Sequence, residues 1–124
     1  MNYSLIEVRP KSGSVGAEIF GVDLNKELKE EQFLEVKSAF HQFGVIFFRD
    51  QKLTPDNEIK FAEKWGKINI NRFFTHVEGY PQIAMVLKEP GQQKNIGGAW
   101  HTDHTYDIEP AMGSILFLGG WMSP

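Results

Sequence analysis

Two side chains with metal-binding chemistry stand two residues apart in the run Gly97-Gly98-Ala99-Trp100-His101-Thr102-Asp103-His104-Thr105-Tyr106. Trp100, Thr105 and Tyr106 favour extended backbone, and on a strand the side chains at i and i+2 point to the same face. The imidazole of His101 and the carboxylate of Asp103 would then reach one ion together. Such a pair makes two thirds of the 2-His-1-carboxylate facial triad, which holds non-heme Fe(II) and leaves positions open for O₂ and a co-substrate. The competing reading is a hydrogen-bonded pair on a solvated strand face. With four His and five Asp in 124 residues, a His-x-Asp triplet arises by chance in about one chain in six. By spacing alone, the plain hydrogen-bonded pair is favoured.

The other histidines add little to a metal site. On a straight strand His104 faces away from His101 and reads as a structural histidine. His41 falls near the end of a helical stretch, where a cationic ring suits the helix dipole. His76 follows Arg72-Phe73-Phe74-Thr75 in an expected loop and either lines a pocket or anchors Glu78-Gly79-Tyr80-Pro81. Asp107, close to Glu109-Pro110, reads as turn chemistry. A zinc hydrolase would ask for His-x-x-x-His on one helix face, and no two of these histidines stand four apart.

Composition narrows the classes further. The chain has no cysteine, which excludes disulfides, thiolate catalysis and Cys-ligated zinc or iron–sulfur sites, so any metal must use His, Asp or Glu. Lys+Arg 13 against Asp+Glu 16 gives a net charge of -3, and no basic stripe suits a phosphate backbone, so nucleic acid is not an expected partner. No stretch approaches the ~20 apolar residues of a membrane span, and Met1-Asn2-Tyr3-Ser4-Leu5 has neither section of a signal peptide. A soluble cytoplasmic protein with no membrane partner is expected.

The elements that must position the pair read as one continuous α+β domain over residues 1–124, with no repeat or linker. Leu5–Val8 and Ala17–Phe20 read as strands around the turn Lys11-Ser12-Gly13-Ser14. Between Glu31 and Phe43 the apolar Phe33, Val36, Phe40 and Phe43 recur at three and four, predicting a helix closed by Gly44, with Lys29 a poor cap at its start. Val45-Ile46-Phe47-Phe48 predicts a buried strand. Thr54-Pro55 opens a second helix, with the hydroxyl at N-cap, proline at N1, Ile59, Ala62 and Trp65 inward, and Gly66 as its stop. Ile83–Leu87 and Ile115–Leu118 predict two more buried strands.

Taken in order, several pieces resemble the TauD/TfdA family of Fe(II)- and 2-oxoglutarate-dependent dioxygenases. They are Gly16-Ala17-Glu18-Ile19 with Gly21-Val22-Asp23-Leu24, Phe43 to Gln51, Leu53-Thr54-Pro55, Phe61-Ala62 with Trp65-Gly66, and His76-Val77-Glu78-Gly79. Trp100-His101-Thr102-Asp103 and Pro110-Ala111-Met112-Gly113-Ser114-Ile115-Leu116 complete the set. Each is modest, but their conjunction at these intervals is specific and turns the balance toward the metal reading of His101 and Asp103.

The resemblance implies a double-stranded β-helix, or jelly-roll-type core, with flanking helices, incomplete in this chain. It implies Fe(II) held by His101, Asp103 and a distal His, with 2-oxoglutarate as co-substrate meeting an Arg, and hydroxylation of a small organic substrate with O₂. The distal His, the Arg and a Thr beside the co-substrate fall in the part of family members beyond this length, so the chain alone is expected to be inactive or nearly so. It reads as the N-terminal portion of such a domain, truncated, with a complementing C-terminal chain or a second copy of itself as expected partner, or as a non-catalytic fragment or interaction protein retaining part of the fold. In the taurine branch a His falls near Asn71, a Tyr near Phe74 and an Asn near Gly97. These three positions are the substrate-pocket candidates, and their changed chemistry argues against taurine itself. Phe73 and Phe74 suit either a more apolar pocket or the core.

Overall fold

The computed structural model describes residues 3–68, 76–85 and 112–117. The chain divides into two compact units, residues 1–58 and 59–124. Seven elements are described: β1 (Glu7–Pro10), β2 (Ala17–Phe20), α1 (Glu30–Phe43), β3 (Ile46–Phe47), α2 (Pro55–Glu63), β4 (His76–Val77) and β5 (Tyr80–Ala84).

In the first unit β1, β2 and β3 form a mixed sheet in that order. β1 and β2 are antiparallel, with Val8 opposite Ile19 and Arg9 opposite Glu18. β2 and β3 run parallel, with Ala17 opposite Ile46 and Glu18 opposite Phe47. Parallel neighbours need a crossover, and α1 supplies it. Ala17, Ile19, Phe33, Val36, Ala39 and Phe43 are all buried, joined in the core by Ile6, Val22, Leu24, Leu28 and Leu53.

The start of α1 has no side-chain cap at Lys29, as the sequence predicts, while Glu30 and Glu31 in the first turn suit the dipole. Its end is fixed by Gly44, which takes φ 75° and donates its N–H to Phe40 at 2.8 Å. That left-handed conformation is cheap only without a Cβ. Within the predicted apolar stripe, Phe40 is only half-buried, and Ala39 and Glu35 take the buried positions.

α2 starts as predicted, with Thr54 Oγ1 accepting the Asn57 N–H at 3.3 Å and Pro55 as first helical residue. Its buried residue is Phe61, whereas Ile59, Ala62 and Trp65 are half-buried, and the helix ends at Glu63, short of Gly66. Phe61 meets Trp65 edge-on, with centroids 6.0 Å apart.

Other expectations are corrected. The first strand runs from Glu7 to Pro10 rather than from Leu5 to Val8. The Ser4 and Leu5 N–H groups are taken by the Glu35 carboxylate and so do not join the ladder. Pro10 fits at the strand's end, since β1 lies at the sheet edge. β3 is two half-buried residues, with Val45 56% exposed, and among the described residues it pairs with β2 alone.

In the second unit His76 is part of a strand, not a loop. β4 and β5 form an antiparallel hairpin turned at Glu78-Gly79, with Val77 opposite Tyr80. The strand expected over Ile83–Leu87 is shifted to Tyr80–Ala84, with Met85 exposed and residues 86 and 87 outside the described residues. Ile115, Leu116 and Phe117 are exposed and are not part of a strand, so the expected burial of Ile115–Leu118 does not hold there, and Leu118 lies outside the described residues. Among the described residues no helix is long and apolar enough to cross a membrane.

Val36 is fully buried, so Val36→Ala removes two methyl groups from a packed site and is expected to cost about 2 kcal/mol, read as a lower urea midpoint with unchanged slope. A second expectation concerns Glu58, whose carboxyl is raised above its ordinary value by burial. The folded chain therefore holds this proton more tightly than the unfolded chain, and stability falls as pH rises from the ordinary carboxylate pKa through the raised one. Glu58→Gln should melt above the parent at neutral pH, with the gap closing in acid where both side chains are neutral.

Candidate metal centre

The metal candidates His101 and Asp103 and the pocket candidates Asn71, Phe74 and Gly97 lie outside the described residues, as do His104 and Asp107. His41 sits in the last turn of α1, as expected, with its ring 5.9 Å from that of Phe40. No three His, Asp or Glu side chains converge among the described residues. What can be built upward is the scaffold that carries the motif segments.

Its first part is the outer face of the three-stranded sheet. Strand alternation and register put Glu7, Arg9 and Lys11, Glu18 and Phe20, and Phe47 and Arg49 on this side, opposite Ala17 and Ile19. Glu18, on the central strand, is 4% exposed. A carboxylate taken out of water needs compensation. Lys11 Nζ lies 3.2 Å from one oxygen and Arg49 Nε 3.3 Å from the other. The Arg49 guanidinium sits 5.4 Å from the centre of the Phe47 ring, and that of Arg9 4.2 Å from Phe20. Stacked cation stems thus cover the carboxylate and the two rings together.

The second part is a set of amide side chains that fasten loops. Gln51 accepts the Leu24 N–H at 2.9 Å and donates to the carbonyls of Val22 at 3.0 Å and Arg49 at 3.3 Å. Asn25, whose own N–H is held by Asp23 Oδ1 at 2.9 Å, donates to the Lys52 carbonyl. Its oxygen accepts from Thr54 N–H at 3.4 Å and from Asn57 Nδ2 at 3.2 Å. The turn they hold contains Asp50 at φ 58°, a conformation that Asp tolerates better than most side chains. Gln51 therefore ties Gly21-Val22-Asp23-Leu24 to Arg49-Asp50-Gln51, and Asn25 ties that loop to Leu53-Thr54-Pro55. Segments that are modest in sequence are joined by direct hydrogen bonds.

The chain matches the family "Taurine catabolism dioxygenase TauD, TfdA family" over residues 7–118. It belongs to that family. An alpha-ketoglutarate-dependent sulfonate dioxygenase of Saccharomyces cerevisiae is 27% identical over 123 residues, covering 88% of this chain and 29% of the relative. An alpha-ketoglutarate-dependent sulfate ester dioxygenase of Pseudomonas putida is 31% identical over 112 residues, covering 90% and 36%. A solved taurine dioxygenase from Burkholderia xenovorans superposes with TM-score 0.59 and 34% identity, over 63% of this chain and 28% of that one. AAD-2, solved with Mn(II) and N-oxalylglycine, superposes with TM-score 0.51 and 29% identity, over 53% and 25%. This TauD/TfdA chain spans about a third of the length of the curated relatives it matches.

Sequence reasoning missed Glu18, Gln51 and Asn25 as scaffold residues. For Glu18 a signal was present, since it interrupts the apolar run Ala17-Glu18-Ile19-Phe20, with Arg9 and Lys11 shortly before it in the chain. The cations of this network are exposed at their ends. Each of Lys11→Ala and Arg49→Ala leaves the buried Glu18 carboxylate with a single cation and should cost about 1–3 kcal/mol, and the cost should shrink in 1 M NaCl because the cations themselves are exposed, measured by denaturant midpoints at two salt concentrations.

Proposed function

We propose that this chain carries two of the three metal ligands, His101 and Asp103, of an Fe(II)- and 2-oxoglutarate-dependent dioxygenase that hydroxylates a small organic substrate with O₂. The supporting observation is the family match, which runs through residue 118 and so includes the His-x-Asp motif. Donor chemistry fits: imidazole nitrogen and carboxylate oxygen suit Fe(II), and a chain without cysteine offers no thiolate to compete. Bound iron, with 2-oxoglutarate and O₂, supplies the oxidising power that insertion of oxygen into an unactivated C–H bond requires. The protein's own share is to supply the neutral imidazole of His101, to offset part of the ion's charge with Asp103, and to hold substrate close while excluding water.

Asn71, Phe74 and Gly97 are the residues we assign to the substrate side. Relatives named for sulfonates and sulfate esters make an organic anion of that kind a first substrate class to test. The sheet of the first unit is taken as part of a double-stranded β-helix that the remaining third ligand and the 2-oxoglutarate Arg complete. A complementing C-terminal chain or a second copy of this chain is the proposed partner, and we place the protein in the cytoplasm. A second reading is a non-catalytic interaction protein built on part of this fold.

Anaerobic titration with Fe(II), or with Co(II) followed by its d–d absorption, separates the two. Under the first reading the parent chain binds, and His101→Ala and Asp103→Ala each weaken binding by about tenfold or more. Equal weak binding in all three leaves only the second reading.

A further inference from the structure

A buried carboxylate outside the motif segments has no part in the dioxygenase reading. Glu35, in the middle of α1, is 7% exposed. Its partners lie at the start of the chain: the Ser4 N–H donates at 2.6 Å, the Leu5 N–H at 3.1 and 3.0 Å to its two oxygens, and the Ser4 hydroxyl at 3.5 Å. Seven residues along the helix, Gln42 Oε1 accepts from the Tyr3 hydroxyl at 2.8 Å. Glu35 and Gln42 are two turns apart on one helix face, roughly 10 Å along the axis. Residues 3 to 5 therefore lie along α1 antiparallel to it, with Ile6 buried as β1 begins.

We propose that Tyr3 to Ile6 form a strap latched by the Glu35 carboxylate, which opens as a unit while α1 and the sheet stay folded. The Ser4 and Leu5 N–H groups are spent on the Glu35 carboxylate, and the strand ladder begins only at Glu7. Leu5 is exposed, which leaves Ile6 as the apolar anchor. A segment held by a few polar contacts and one buried side chain belongs to the low-stability end of a fold, where sub-global opening occurs. The carboxylate is the decisive element, because charge-assisted hydrogen bonds to consecutive N–H groups are stronger than neutral ones. Burial first, and the Glu35 charge second, push the Tyr3 phenol above its usual pKa.

Amide hydrogen exchange on the full chain, compared with Glu35→Gln and Glu35→Ala, tests the latch. Gln keeps the shape but leaves one acceptor oxygen and turns an NH₂ toward the strap donors. The Ser4 and Leu5 amides should exchange about tenfold faster in the Gln variant, and faster again in the Ala variant, while the protected amides of α1 keep their rates. Unchanged Ser4 and Leu5 rates in Glu35→Gln would overturn the proposal. So would a parallel rise across α1, which would make Glu35 part of the global fold. Glu35→Gln decides the matter alone if the Ala variant does not fold.

Discussion

The first unit depends on one face of α1 being sealed against β2. β2 and β3 are parallel neighbours, so the chain between them must leave the sheet, cross it and return, and only a covered crossover keeps that path out of water. Val36 and Ala39 on the helix and Ala17 and Ile19 on β2 are all buried. Phe33 and Phe43 are buried with them. Gly44 then turns the chain within one residue so that β3 can pair with β2.

Around that packing, polar side chains do what backbone ladders do elsewhere. β3 is only two residues long and the sheet has no third neighbour on that side among the described residues, so the loops around it lack ladder partners. Gln51 and Asn25 supply them by bonding to the Val22, Arg49 and Lys52 carbonyls and the Leu24 and Thr54 N–H groups. A buried backbone group left unpaired costs as much as a lost hydrogen bond. Amides serve here because each carries both donors and an acceptor. Glu18 and Glu35 divide the harder task of burial with charge: one meets cations whose ends stay wet, the other a pair of backbone donors.

Legibility in the sequence followed the range of the interaction. Ala17–Phe20 and the body of α1 could be read because period 2 and period 3.6 are local, and the Thr54-Pro55 start of α2 because capping is decided within four residues. The first strand was displaced by two residues because Glu35, some thirty positions away, takes the amides of Ser4 and Leu5. Phe61 on α2 and the hairpin at His76–Ala84 likewise depended on neighbours that periodicity does not name. Ile115 to Phe117 were apolar enough for a buried strand, yet burial needs a partner strand, and composition cannot provide one. His101 and Asp103 were legible as donors from their chemistry and spacing. Their meaning came from the order of the surrounding segments.

That order has a physical cause. Gly16 to Leu24, Phe43 to Gln51 and Leu53 to Pro55 are separated along the chain, but Gly16 and Ala17 donate to the carbonyls of Phe43 and Val45 at 2.9 and 3.0 Å, and Gln51 and Asn25 close the remaining links. A change in any one segment is felt by the others through a named hydrogen bond. Such coupling makes segments that are individually modest in sequence parts of one folded unit. The triplet specifies which atoms could meet a metal. The hydrogen bonds specify which of the separated segments fold against one another.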